Sequence, residues 1–372
     1  MLFCSLVFIS FFSPIYTLYY FFICIFVYIV GLVMAEKSEK QRKQLFISVI
    51  SLLILNLCFY KYYRVTLSGI DRLILSYMHV QPIRIPEIIF PLGLSFITFR
   101  LIHYHIELYR GNITETSFVD FALYVLFFPT FLAGPVERFP KFYTQTKGID
   151  RLRLRELNYG LWRIILGAIK KFIIADALLG IIMPVLRLPS AYTTSVVIAA
   201  VYGAAIWLYL DFGGYCDIAI GISHMFGYSI VENFNQPFLK KNIALYWRNW
   251  HISVYSWIRD YFYFPLFVYK GTRLKLYFGI FCTMMVFMIW HAPTANFLFA
   301  GIYNGVGLVI WKLFQDLKEK HGSIRHAFDK RFLDPVAVLL TFTYVSFGIG
   351  IAFGGTDLVI VKDLLGRAIG CQ

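Results

Sequence analysis

The chain has 372 residues, of which 59% are apolar, 19% aromatic and only 15% charged, against about 25% charged in an ordinary soluble domain. Disordered, collagen-like and ordinary cytosolic classes are thereby excluded. Thirty-five Lys and Arg against twenty-one Asp and Glu give a net charge of +14, with the charges in short stretches between long apolar runs, the pattern of an all-α polytopic membrane protein.

From the N-terminus, Met1–Ala35 carries no charged residue, enough chain to cross a hydrocarbon core of about 30 Å and to turn or lie along the interface near Pro14. No cleaved signal peptide is expected, because a basic start is missing and the apolar stretch far exceeds the roughly 7–15 residues of a signal core. Glu36–Lys43, with four basic and two acidic residues, reads as a cytoplasmic turn. Gln44–Tyr60 returns through the membrane. Further spans are expected at Ile88–Tyr109, Phe121–Val136, Leu157–Leu186, Leu188–Leu210, Phe212–Val231, Leu276–Trp290, Thr294–Trp311 and Pro335–Thr356, roughly nine to eleven crossings in all. Glu137–Glu156 and Lys312–Arg331 each hold six basic against three acidic residues and are read as cytoplasmic faces. No internal repeat, low-complexity tract or long linker is visible, so one helical membrane domain is expected. The six Cys (Cys4, Cys24, Cys58, Cys216, Cys282, Cys371) lack the paired spacing of a zinc or redox site and read as small hydrophobes.

Ionisable residues inside apolar sequence are expensive and therefore the first place to seek function. Asp211 and Asp217 flank a glycine pair in Leu208–Gly221, where a helix could break or backbones approach; helix packing, with Asp211 as a buried acceptor, is the simpler reading. His291 stands almost alone among the apolar residues of 276–311, beside Trp290 and before Pro293. A neutral imidazole there could act as a general base, provided it lies in a wet passage where an alcohol and an activated ester can meet. In Lys241–Leu266, at about 100° per residue, Trp247, Trp250, Val254, Trp257 and Tyr261 share one side of a helix, and Arg248, His251, Tyr255 and Arg259 another. Such an interfacial or re-entrant helix anchors at the headgroup level. Its cationic side, with Asn249 nearby, also suits the lining of a path for a polar or anionic substrate.

Other signals are weaker. His103 and His105 are two apart and point about 200° away from each other, so they cannot chelate one metal from one helix face. Arg138, after Pro135, reads as a basic turn at a membrane exit. No HExxH, P-loop or G-x-S-x-G is present, so no metal site, nucleotide hydrolysis or serine hydrolase is expected. Nor is a nucleic-acid partner expected; the basic loops suit anionic lipid, acidic carrier proteins or the phosphates of coenzyme A.

Six blocks, in order, resemble the membrane-bound O-acyltransferase family, in the bacterial branch with teichoic acid D-alanyl transferases and alginate O-acetylases: Pro91–Gly111, Phe127–Phe142, Leu210–Gly221, Glu232–Phe238 (ENFNQPF), Tyr246–Leu266 and Ile289–Thr294 (IWHAPT). The resemblance implies a single domain over residues 1–372 with its core at about 88–311, folded as a funnel-shaped bundle of membrane, re-entrant and interfacial helices. It implies a multi-pass protein of the bacterial cytoplasmic (inner) membrane. The implied reaction takes an acyl group, acetyl or D-alanyl, from a cytoplasmic thioester (acyl-CoA or the phosphopantetheine of an acyl carrier protein) to a hydroxyl of an extracytoplasmic polysaccharide or other envelope polymer. No tightly bound cofactor is implied, and a secreted acyltransferase is a further possible partner. His291 would be the base and His251 would position the thioester arm or assist proton transfer, with Asn249, Arg248, Asp211, Trp290 and Tyr255 lining the substrate tunnel.

The opening residues and the YCDIAIG and ENFNQPF phrases look more like polysaccharide acetylases, whereas the modest length and early C-terminus look more like D-alanyl transferases. Ala292 stands where a glycine is common, and Phe267–Lys275 replaces a glycine-rich continuation. Two readings outside catalysis stay open. A transporter or channel is motivated by Asp211, Asp217, Arg100 and the histidines; a non-catalytic scaffold would dock a periplasmic partner.

Overall fold

The computed structural model describes residues 1–78, 90–114, 116–148, 154–269, 271–328, 330–353 and 366. Residues 88–89 and 354–356 of two expected spans, 149–153 and 329 of the two basic segments, residue 270 of the 267–275 stretch, and Cys371 lie outside them. Among the described residues the α-helices are, in order, α1 (Leu2–Phe12), α2 (Pro14–Ala35), α3 (Glu39–Met78), α4 (Leu94–Tyr109), α5 (Phe118–Leu126), α6 (Phe139–Thr146), α7 (Leu154–Ala168), α8 (Asp176–Arg187), α9 (Thr194–Met225), α10 (Ile243–Asn249), α11 (Ile252–Ile258), α12 (Arg273–His291), α13 (Ala295–Lys320), α14 (Gly322–Phe328) and α15 (Asp334–Phe353). Two wider, π-wound stretches, Ile169–Ala175 and Arg259–Val268, continue α7 and α11. Side-chain caps set several starts. Ser13 accepts from the Tyr16 N–H ahead of Pro14 at the first helical position, Ser117 accepts from Asp120, and Thr272 from Lys275, each supplying one of the acceptors that a helix start lacks.

Among the described residues six helices are long and apolar enough to cross a membrane: Pro14–Ala35, Glu39–Tyr63, Thr194–Met225, Arg273–His291, Ala295–Lys320 and Arg331–Phe353. Phe11, Ile15, Ile181, Leu274 and Leu340 are exposed, an arrangement suited to lipid and costly in water. The protein is an all-α, multi-pass membrane protein. One expectation is corrected: Leu188–Leu210 and Phe212–Val231 are not two spans, because α9 runs unbroken through Gly213 and Gly214. The glycines serve close approach instead of a break. A Cβ on Gly214 would lie 2.7 Å from the Gly167 carbonyl oxygen, and one on Gly167 would lie 2.5 Å from that of Gly214, so only hydrogen fits between these backbones.

The chain divides into two compact units, Met1–Trp162 with Ala219–Val231, and Arg163–Ile218 with Glu232–Gln372. The first is organised around Arg100, which is 1% exposed. Where α5 stops and the backbone turns through Phe127–Thr130, carbonyls lose their helical partners. The Arg100 guanidinium donates to the carbonyls of Tyr124 (3.3 Å), Val125 (3.0 Å) and Thr130 (2.8 Å) and to Thr130 Oγ1. Buried Glu137 accepts from the Val231 N–H at 2.9 Å, and His103 Nε2 accepts from the Phe139 N–H at 2.8 Å. Around them pack Tyr104, Phe121, Tyr124, Phe139 and Phe142. His105 stacks on Phe46. Thus Arg100 and His103 act as fasteners of irregular backbone.

In the second unit Ile182, Val185 and Leu186 of α8 pack with Val197, Ala200, Val201, Ala204 and Ala205 of α9 and Ile349 of α15. The wide winding after α7 lets successive lysines reach carboxylates six residues apart on α9: Lys170 Nζ meets Asp217 Oδ2 at 2.7 Å and Lys171 Nζ meets Asp211 Oδ1 at 2.5 Å. Arg163 also pairs with Asp217 and, at 2.8 Å, with Glu232.

Candidate functional site

The expected single helix across Lys241–Leu266 does not form. After the Asn242 side chain caps α10 by accepting from the Leu245 N–H at 2.8 Å, the helix ends at Asn249. Trp250 is extended (φ −112°, ψ 127°), and His251 adopts the left-handed conformation (φ 46°, ψ 49°) before α11 begins. That conformation is rare for a residue with a Cβ and persists only where surroundings over-determine it. The ENFNQPF segment does so. Phe234 and Trp250 form an antiparallel bridge, the Asn235 N–H donates to the Asn249 carbonyl (3.1 Å), and the Ile252 N–H donates to the Asn233 carbonyl (3.0 Å). The fully buried Asn233 side chain adds a bond from the Ser253 N–H to its Oδ1 (3.1 Å) and donates from Nδ2 to Cys216 Sγ (3.3 Å). A wheel drawn at constant pitch still groups the tryptophans, which is why the break is invisible to periodicity.

His291 is the last residue of α12. Ala292 and the Thr294 cap are extended, and Pro293 between them cannot donate a helical hydrogen bond. The His251 and His291 ring centroids lie 5.8 Å apart with an interplanar angle of 68°. Phe212 stacks on His251 at 4.7 Å, Phe287 lies 5.9 Å from His251 and 5.1 Å from His291, and Trp290 lies 6.2 and 4.7 Å from the two. The imidazoles are unequal. His251 is 1% exposed, and burial holds its pKa well below the usual imidazole value, with the positive charge of His291 as a second cause. His291 is exposed.

Of the expected tunnel residues, Trp290 lies beside both histidines. Asn249 caps its own helix, donating to the Leu245 carbonyl at 2.8 Å. Asp211 pairs with Lys171, and Arg248 and Tyr255 line a separate cavity. Asn233, Phe212 and Phe287 were not among the expected site residues, although Phe212 lies in Leu210–Gly221 and Asn233 in Glu232–Phe238, two of the blocks that carry the family resemblance. Among the described residues no cluster of three His, Cys, Asp or Glu has metal-binding geometry. Such a pair can hold and pass a proton beside an aromatic, low-dielectric wall.

The profile of the membrane-bound O-acyltransferase family matches residues 2–347. This chain is a member of that family. It is 32% identical, over 88% of its length, to the probable alginate O-acetylase AlgI of Pseudomonas aeruginosa, covering 61% of that protein. It is 31% identical to the teichoic acid D-alanyltransferase of Bacillus subtilis, with 74% of this chain and 72% of that protein aligned. Against the peptidoglycan O-acetyltransferase of Helicobacter pylori it is 30% identical, with 70% of this chain and 53% of that protein aligned. The chain spans about half to three fifths of the length of the alginate O-acetylases it matches.

Proposed function

We propose that this protein is an O-acyltransferase of the bacterial cytoplasmic membrane. It moves an acetyl or D-alanyl group from a cytoplasmic thioester, acyl-CoA or an acidic acyl carrier protein, to a hydroxyl of an extracytoplasmic envelope polymer. The observation that carries the reading is the pairing of His251 and His291, forty residues apart in sequence and 5.8 Å apart between ring centroids, in a chain of this family. The relatives' names, alginate O-acetylase, teichoic acid D-alanyltransferase and peptidoglycan O-acetyltransferase, support an envelope polymer as acceptor.

The exposed His291 imidazole takes the proton of the acceptor hydroxyl as its oxygen attacks the thioester carbonyl carbon. The C–S bond then breaks, the sulfur leaves with its electron pair, and the imidazolium returns the proton to give ester and free thiol. No covalent enzyme intermediate is needed. His251, kept neutral by burial, positions the thioester arm or assists the proton transfer. Asp211 and Asp217 of α9 are paired with Arg163, Lys170 and Lys171, which supports a packing role for them.

The test is transfer by the purified, reconstituted protein, followed by mass spectrometry of the polymer. His291→Gln that remains monodisperse is expected to lose on the order of 10²–10⁴ in rate, the range for a general base. Wild-type transfer by that variant overturns the mechanism, and the mass of the new ester identifies the acyl group.

A further inference from the structure

Anchoring the backbone of His251 leaves its ring free to turn, because the Cβ–Cγ torsion of histidine is broad and roughly two-fold. The ring is met from α9. Tyr209, Phe212 and Cys216 are spaced i, i+3, i+7 on that helix and share one stripe. The stripe faces the 233–251 segment: Tyr209 meets Phe234 at 5.5 Å between centroids, Phe212 meets His251, and Cys216 accepts from Asn233. Phe212 lies 4.7 Å from the imidazole at an interplanar angle of 30°, nearly face to face. Phe287, Trp290 and His291 meet the same ring from 5.9, 6.2 and 5.8 Å at the steeper angles of 81°, 47° and 68°.

Phe212 is itself held. Phe234 packs against it edge to face, at 5.3 Å and 90°. Asp211 and Gly214, three apart, point away from the stripe, where Lys171 pairs with Asp211 and the Gly214 backbone lies against Gly167. The residues that bracket Phe212 are thereby pinned to α7 and its continuation, and the ring projects from a fixed stretch of helix. We propose that Phe212 is a positioning residue for His251: clamped between α9 and Phe234, it fixes the plane of the imidazole and so the directions its two nitrogens face. The consequence for rate rests on the acyl-transfer reading; the geometry does not. A misplacement of about 1 Å can cost on the order of a hundredfold in rate, and an imidazole free to swing spends part of its time turned away from the reacting atoms.

The experiment reconstitutes the full chain in nanodiscs, isotope-labelled at histidine Cε1, and compares Phe212→Leu, which removes the ring, with Phe212→Tyr, which keeps it. The His251 NMR signal, identified by its disappearance in His251→Gln, is expected upfield in the wild type and in Phe212→Tyr, displaced by the current of the facing ring, and to move back downfield in Phe212→Leu. In transfer assays Phe212→Leu is expected to lose roughly ten- to a hundredfold in kcat with KM nearly unchanged, and Phe212→Tyr to recover most of that loss. Asp211→Asn, which releases Lys171, is expected to move both readouts in the same direction by less. Phe212→Met, also ringless, carries the same expectations if the leucine variant does not fold. An unmoved His251 signal in Phe212→Leu, or wild-type transfer by that variant, overturns the proposal. A wild type that shows the upfield signal and transfers nothing overturns the acyl-transfer reading instead, and the signal in Phe212→Leu still decides the role of Phe212.

Discussion

Asn233 Oδ1 accepts the backbone N–H of Ser253 at 3.1 Å, two residues beyond His251, while the Asn233 carbonyl accepts from Ile252. One buried amide thereby fixes the backbone on which a candidate catalytic imidazole sits. Asn233→Ala removes an acceptor from a buried N–H, a loss of about 1–3 kcal/mol, and frees His251 from its strained conformation. Transfer is expected to fall severalfold or more in Asn233→Ala but hardly further when that change is added to His251→Gln. Independent, multiplying losses in the double variant contradict a positioning role.

The left-handed backbone at His251 separates two variants that both lack the imidazole. An alanine there keeps a Cβ in a conformation costing roughly 1–2 kcal/mol, whereas glycine adopts it freely. His251→Gly is therefore expected to melt above His251→Ala in detergent, with transfer impaired in both. Equal melting midpoints, or alanine the more stable, count against the strain.

Burial depresses the His251 pKa, and the sign for stability follows. Above about pH 6.5 the imidazole is neutral whether folded or unfolded and contributes no pH dependence. Below it, the unfolded chain binds a proton that the folded protein refuses, so stability falls by up to about 1.4 kcal/mol per pH unit. Thermal melting from pH 7.5 to 5.5 is expected to decline less steeply in His251→Gln than in the wild type; parallel declines exclude a buried neutral histidine.

Arg100 tests the other unit. Lysine retains the charge but not the planar fork that reaches three carbonyls and a hydroxyl, and leucine leaves all of those acceptors unmet. Each buried carbonyl left unsatisfied costs on the order of 1–3 kcal/mol. The expected order of folded yield by gel filtration is wild type, then Arg100→Lys, then Arg100→Leu. A leucine variant as abundant and heat-resistant as the wild type overturns the fastening role.

Composition and charge spacing made the membrane-helix class legible, a histidine almost alone in apolar sequence marked His291, and the cationic side of the 241–266 stretch carried His251. The features that place them were harder to read. Residues 243–258 have an unbroken 3.6-residue stripe in sequence, yet their helix stops for Trp250 and His251, because pairing with residues 233–235 outweighs helical continuity there. The DFGG phrase invites a break in α9, but the glycines are spent on contact with Gly167, and Asp211 and Asp217 answer lysines brought into phase by a π turn. Arg100 looks like a transport charge until the carbonyls freed at the end of α5 are counted. In each case the deciding partner is distant in sequence, where local periodicity carries no information.

The two imidazoles hang from different supports. His251 is tied through Asn233 to Cys216 on α9, whereas His291 rides on the last residue of α12. Cys216 and His291 thus sit on separate helices, so a substitution at Cys216 bears directly on the backbone under His251 and not on the helix end that carries His291.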